Sequence, residues 1–96
     1  MAEYRLSPRA QRDLDAVFDY TMAQWGLPQA MRYTDLIEGT CADLAEAPQQ
    51  AQGCAHIRPA YRRRSVEQHV IYFRLTSYGV AIVRILHQRM DTARHL

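Results

Sequence analysis

Lysine is missing altogether: all twelve basic residues of this 96-residue chain are arginine. Cysteine is scarce, with only Cys41 and Cys54, thirteen positions apart. Two thiols are too few for a disulfide framework, and both are expected to be free, Cys41 as a small core residue. The grouping Cys54-Ala55-His56 with Cys41 matches no standard zinc pattern, because no second Cys/His pair completes four ligands. Nothing approaches the roughly 18 consecutive apolar residues that mark a membrane span. The opening Met1-Ala2-Glu3-Tyr4-Arg5 lacks the basic-then-apolar layout of a signal peptide, so the cytoplasm is the expected compartment. The four glycines form no phosphate-cradling loop, and there is no nucleophile elbow and no paired-carboxylate signal. No cofactor, metal or membrane partner is therefore expected.

What is present is an uneven distribution of charge. Residues 1–50 carry four arginines against eight acids, a net of −4, whereas residues 51–96 carry eight arginines against two acids, a net of +6. Halves this different describe a dipolar molecule with one acid-seeking face. Because every cation is an arginine, each can make forked contacts with carboxylate or phosphate.

The hydrophobic pattern describes a single domain over residues 1–96. Glu3-Tyr4-Arg5-Leu6-Ser7 alternates as a short strand. Ser7-Pro8 starts a helix, with Ser as N-cap and Pro at the first helical position. Apolar residues at Ala10, Leu14, Val17, Phe18, Met22 and Trp25 form its stripe, the nearby arginines and aspartates take the remaining surface, and Gly26 ends it. Pro28 opens a second helix lined by Ala30, Tyr33, Ile37, Cys41 and Leu44 and closed at Ala47-Pro48. The short link predicts an antiparallel helical hairpin, with Phe18, Trp25 and Tyr33 as core where the helices meet. After the polar loop 49–55 the period changes from 3.6 to 2. In His69–Leu75, Ile71, Phe73 and Leu75 share a face opposite Val70, Tyr72 and Arg74; in Val80–His87, Val80, Ile82, Arg84 and Leu86 share a face opposite Ala81, Val83, Ile85 and His87. Ser77-Tyr78-Gly79 is the turn between them, and 91–96 has length for one helical turn. The expected fold class is α+β, in the order β-α-α-β-β-β: an N-terminal strand and an antiparallel helical hairpin packed on a small antiparallel sheet. The second sheet face carries more polar atoms and is expected to stay partly open.

Two constellations in the C-terminal half can carry chemistry. The arginine cluster (Arg58, Arg62, Arg63, Arg64, Arg74, Arg84, Arg89 and Arg94) has too few acids nearby to neutralise it and so reads as a surface for an acidic partner. Arginines on a solvated edge strand, there to block aggregation, are the plainer reading. The set His69, Tyr72, Arg84 and His87 contains the residue types of a ribonuclease that needs a base, an acid and a cation for the phosphorane. Within it, His87 would be the base and Arg84 or Arg64 the stabiliser, but Arg84 and His87 are three apart and face opposite ways in a regular strand.

Leu6-Ser7-Pro8-Arg9-Ala10 with Asp13-Leu14 and Asp19-Tyr20, then Trp25-Gly26 and Ala30-Met31-Arg32-Tyr33, occur in order along the chain. They are followed by Ile57-Arg58-Pro59, His69-Val70-Ile71-Tyr72-Phe73-Arg74 and Arg84-Ile85-Leu86-His87-Gln88-Arg89-Met90-Asp91. Together these segments, covering nearly the whole chain, resemble the ParE-type toxins of the RelE/ParE superfamily, the toxic halves of bacterial type II toxin–antitoxin modules. The resemblance implies a cognate ParD-like antitoxin with a ribbon-helix-helix N-terminal part and an acidic C-terminal segment that wraps the toxin. It also implies contact with operator DNA only through that antitoxin, and DNA gyrase, trapped with cleaved DNA, as the target. Residues expected to meet antitoxin or target are Arg58, Arg62, Arg64, Tyr72, Arg74, Arg84, His87 and Arg89. On this reading the chain is not an enzyme. The alternative within the superfamily is a RelE-type, ribosome-dependent mRNA endonuclease using His87, Arg84 and Arg64. Such nucleases rely on several Lys and Arg with a terminal Tyr or His. The lack of lysine, and of any aromatic residue after Tyr78, favours the ParE branch.

Overall fold

The computed structural model describes residues 2–53 and 58–96. Strand β1 (Glu3–Leu6) leads into helix α1 (Pro8–Trp25), α2 (Leu27–Glu46) and a 3-10 turn (Pro48–Gln50). Strands β2 (Gln52–Gly53), β3 (Tyr61–Val66), β4 (His69–Thr76) and β5 (Gly79–His87) follow, and the chain ends in α3 (Thr92–His95). The class is the α+β hairpin-on-sheet expected from the period change. Two details go beyond that expectation: the two-residue β2 extends the sheet, and β1 pairs parallel with β5, so the sheet is mixed, in the order β1-β5-β4-β3-β2. A strand of four residues carries no signal of which neighbour it will join.

Local chemistry places both helices where the sequence puts them. The Ser7 hydroxyl accepts from the Ala10 amide at 3.0 Å and donates to the Val83 carbonyl at 2.8 Å, so one side chain caps α1 and ties it to β5. Gly26, at φ 94°, is both the C-cap of α1 and the N-cap of α2: its amide donates to the Met22 carbonyl and its own carbonyl accepts from Ala30. That dual role makes the hairpin joint a single residue.

The core lies between the hairpin and one face of the sheet. Ala10, Leu14 and Val17 of α1 and Tyr33, Ile37, Cys41 and Leu44 of α2 cover Ile71, Phe73, Val80, Ile82 and Ile85. The buried stripe of α1 is Ala10, Leu14, Val17 and Thr21. Three residues read as part of that stripe lie elsewhere: Trp25 is 74% exposed, Met22 is exposed and Phe18 is only half-buried. Thr21 takes the position expected of Met22, its hydroxyl satisfied by the Val17 carbonyl at 2.7 Å. Burial pushes the Cys41 thiol up to about 12, with Glu38 adding to the effect, so it behaves as a small inert core residue. Cys54 and His56 lie outside the described residues.

Strand β5 departs from strict alternation. Tyr72 pairs with Arg84 but Phe73 pairs with Ile82, leaving Val83 as the extra residue of a β-bulge. From that point the faces exchange. Val80, Ile82, Ile85 and His87 lie on the helix side, whereas Arg84 and Leu86 turn to the other side, opposite Tyr72 and Val70. The expected grouping of Val80, Ile82, Arg84 and Leu86 on one face is thus corrected; Leu75 shares the face of Ile71 and Phe73 as expected and is exposed near the β4–β5 turn. The second sheet face is covered in part: Val70, Tyr72 and Leu86 form a small cluster with Tyr61 and Leu96 at the C-terminal end of the chain.

At the β1–β5 junction Gly79 has φ 142° and pairs with Glu3, and a Cβ there would overlap the Glu3 carbonyl oxygen. Gly79→Ala is therefore expected to cost about 2–4 kcal/mol, from backbone strain added to displacement of β1. The check is a urea denaturation series, where an unchanged midpoint would contradict this account.

Candidate functional site

Strand β1 ends at Leu6, beside Ile82, so the last residues of β5 have no strand on that side. Helix α1 closes the gap with one carboxylate. Asp13 accepts from Arg84 through both oxygens (Nε at 2.8 Å, Nη2 at 3.0 Å) and from the Ile85 amide at 2.9 Å. Both side chains of this pair are only 15% exposed, and the hydrogen bond to Asp13 raises the Arg84 pKa above its usual value. Arg84 also donates to the His95 carbonyl at 3.0 Å, which holds α3 against the sheet. Asp13, one of the aspartates expected on the solvated surface of α1, is instead a structural anchor.

Beside this anchor, the hairpin and the sheet diverge into a cleft of about 380 Å³. One wall is α1, with Val17, Tyr20, Thr21 and Trp25; Gln29 and Tyr33 of α2 form the back. The β3–β4 turn contributes Glu67 and Gln68, and the strand ends contribute His69, Ile85 and His87, with Met90 at the rim. Trp25, Tyr20 and Met90 are 74%, 67% and 44% exposed, and Met22, Leu27 and Met31 near the hairpin joint are exposed as well. Large apolar side chains gathered round a concavity on a small chain mark a place where another molecule is meant to bind.

The cleft holds an imidazole pair. The His69 and His87 rings meet edge to face at 5.3 Å, and the Tyr33 ring lies tilted by 56° against His69 at 5.4 Å. The Tyr33 hydroxyl lies 2.7 Å from His69 Nδ1 and 3.2 Å from the Val66 carbonyl, and accepts from the Gln68 amide. His87 Nδ1 accepts from the Arg89 amide at 3.1 Å. Burial lowers the His69 pKa below its ordinary value and the neighbouring His87 lowers it further, while Asp13 opposes them. Burial likewise raises the Tyr33 hydroxyl. The pairing depends on the bulge, because strict alternation would put His87 on the far face.

The arginines do not form one surface. Arg62 and Arg64 pair with Phe73 and Ile71 and so lie on the helix side of β3; Arg63, Arg74 and Arg84 lie on the opposite side. Three are engaged within the chain: Arg58 on the Leu96 main-chain oxygen (2.9 and 2.6 Å), Arg62 on the Ala51 carbonyl (3.1 Å) and Arg84 as above. Arg63, Arg64, Arg74, Arg89 and Arg94 make no side-chain hydrogen bond among the described residues, and Arg74 and Arg89 are exposed. Tyr72, expected at an interface, is 2% exposed under α3, its hydroxyl 2.8 Å from that of Thr92. Arg84 and His87 are not brought together, since they occupy opposite faces beyond the bulge; Arg64 shares the His87 face but stands two strands away on β3. Sequence reasoning named both histidines but missed the cleft. The signal available for it was the run of large apolar residues on either side of Gly26, more than two short helices can bury.

The chain matches the family model described as "ParE toxin of type II toxin-antitoxin system, parDE" over residues 4–92. This chain belongs to the ParE toxin family. It is 38% identical over 96 residues to Toxin ParE1 of Mycobacterium tuberculosis, covering 99% of this chain and 98% of that protein. It is also 38% identical to Toxin ParE1 of Caulobacter vibrioides (100% and 99% covered), and 34% identical over 98 residues to Toxin ParE of Escherichia coli (100% and 94%). A solved structure of a chromosomal ParDE toxin–antitoxin system from P. aeruginosa superposes with a TM-score of 0.78 at 24% identity, covering 91% of this chain and 96% of that one. It supports the fold. Membership makes the chain a ParE-type toxin of a type II system and implies a cognate antitoxin.

Removing the anchoring carboxylate tests the geometry of this site. Asp13→Ala leaves a shielded guanidinium and the Ile85 amide without their acceptor, and is expected to cost about 2–4 kcal/mol. The double variant Asp13→Ala/Arg84→Met should recover part of that loss in thermal melts, whereas simple additivity would argue against a coupled pair.

Proposed function

We propose that this ParE-family chain arrests growth by poisoning DNA gyrase in the cytoplasm, and that a cognate ParD-like antitoxin neutralises it by seating a folding segment in the cleft between α1 and the strand ends. The observation that carries the antitoxin part is the exposed wall of Trp25 and Tyr20 with Met90 at the rim. A chain that orders on binding needs concentrated apolar burial to offset the entropy it loses, and an open aromatic cleft supplies it. The five arginines of the C-terminal half that make no side-chain hydrogen bond among the described residues suit the acidic remainder of such a segment as it wraps the toxin. Operator DNA is met only through the antitoxin. The gyrase assignment is inherited from the ParE branch and rests on family membership.

The action is binding and not catalysis. In the RelE-type set, Arg84 lies on the far face of the sheet from His87 and is already engaged by Asp13 and the His95 carbonyl, while Arg64 shares the His87 face but stands two strands away on β3. A base must reach the proton it removes while a cation faces the same phosphate.

Purified folded protein added to a gyrase supercoiling assay should inhibit the reaction and accumulate cleaved DNA; supercoiling at the untreated rate would refute the gyrase reading. Primer extension on translated message should show no codon-linked cuts, and cuts that vanish in His87→Ala would establish the nuclease instead. Trp25→Ala should leave stability within about 0.5 kcal/mol, the side chain being exposed, while weakening the antitoxin complex by at least about tenfold. Unchanged affinity would remove the antitoxin from this cleft.

A further inference from the structure

The nitrogen accounting of the imidazole pair identifies what the floor of the cleft is built to receive. The Arg89 amide donates to His87 Nδ1, so the proton of that ring sits on Nε2. His69 Nδ1 is engaged with the Tyr33 hydroxyl. Nε2 of each ring is therefore its uncommitted nitrogen among the described residues. Tyr33 serves either state of His69. It donates to a neutral ring; when Nδ1 is protonated it accepts from that ring and turns its own proton to the Val66 carbonyl, 3.2 Å away. His87 has no such freedom, because a proton on its Nδ1 would face the Arg89 N–H.

The charged groups around the pair leave these donors unanswered. From α1 comes Asp13, held by Arg84; from the β3–β4 turn comes Glu67, paired with Arg32 of α2 at 3.5 Å. From α2 comes the neutral Tyr33, and beyond β5 the exposed Arg89 adds positive charge. Each acid of the cleft thus has its own arginine. A metal ion is a poor fit, because no cluster of three His, Cys, Asp or Glu ligands occurs among the described residues. A nucleic-acid backbone fits poorly too, since repeated phosphates would run against Asp13, Glu67 and the apolar wall of Trp25 and Tyr20. One carboxylate carried on an otherwise apolar segment satisfies all of these constraints.

We propose that His69 and His87 form a carboxylate subsite on the cleft floor, filled in the toxin–antitoxin complex by an Asp or Glu side chain of the antitoxin. The proposal rests on the cleft being the seat of the antitoxin. His69 takes up a proton as the carboxylate arrives and His87 offers its Nε2–H as a donor, so complex formation takes up a fraction of a proton. In the free protein burial lowers the His69 pKa below its ordinary value and His87 lowers it further. The arriving anion raises its pKa, so affinity increases as pH falls through the histidine range and is weakest above it.

The probe is the product of the reading frame adjacent to this chain's gene, purified with the toxin as a complex. Histidine Cε1–H resonances, followed by NMR against pH in the free toxin and in the complex, report each ring without any substitution. The His69 pKa should rise by at least about one unit on complex formation, and the dissociation constant should be roughly three- to fivefold lower at pH 6 than at pH 8. His69→Gln should abolish most of that pH dependence while the complex persists. His87→Gln should weaken binding at both pH values and keep the dependence. A stable complex in which the His69 pKa is unchanged or lowered, or whose pH dependence survives His69→Gln, overturns the subsite and leaves the toxin–antitoxin reading standing. Failure of the pair to associate at all removes both.

Discussion

The Asp13 carboxylate is the point on which the two layers of this molecule depend. It stands where β1 has run out and β5 needs a partner, and it supplies an acceptor to the strand's own Ile85 amide as well as to the Arg84 guanidinium. A buried amide without an acceptor is costly, so a helix that brings one is held in a defined register against the strand. Ser7, six residues earlier, makes the complementary contact by donating to the Val83 carbonyl. Between them these two side chains fix α1 across the irregular part of β5, and the space left beyond them is the cleft. Arg84, in turn, passes the constraint through the sheet to the His95 carbonyl and so to α3. One ionic contact thereby orders a helix, a strand end and the C-terminal turn.

Much of the architecture was legible before any coordinates. Ser7-Pro8, Gly26 and Pro28 mark helix limits through rules of local backbone chemistry, and the change of period after Pro48 separates helices from strands. The stripe of α2 is buried as its spacing implies. What was not legible depends on non-local pairing. No residue type announces the bulge at Val83, which is a property of two strands in register, and it alone decides that Ile85 and His87 face the helices. The parallel partner of β1 is likewise a tertiary choice. Trp25 misled because its spacing continues the helical stripe, while the buried part of that stripe ends one turn sooner, at Thr21. Hydrophobic periodicity says which way a side chain points, but not whether anything lies in that direction.

The arginine-rich half is better understood as two populations. Arg58, Arg62 and Arg84 each grip a main-chain oxygen, replacing donors that secondary structure leaves missing at the chain end, at the short β2 and under α3. A forked guanidinium suits that work in a small domain with few regular elements to spare. Of the others, Arg64 stands on one side of the sheet and Arg63 and Arg74 on the other, Arg89 and Arg94 lie beyond it, and together they give the molecule its long-range field. The net charge of the segment therefore overstates the part of it available to a partner.

The parallel pairing of β1 with β5 also bears on how the chain comes into being. Glu3 lies against Gly79 and Leu6 against Ile82, so the first strand finds its neighbour only after nearly all the intervening sequence exists. The hairpin is made early, yet much of the surface it must cover belongs to β4 and β5. Contacts this distant along a chain close slowly, since loop entropy is lost before burial repays it. During synthesis the first half therefore waits as helices without a sheet, and the finished shape is reached only when the final strand arrives. For a molecule whose finished form is toxic, the order of assembly is itself a delay between translation and harm.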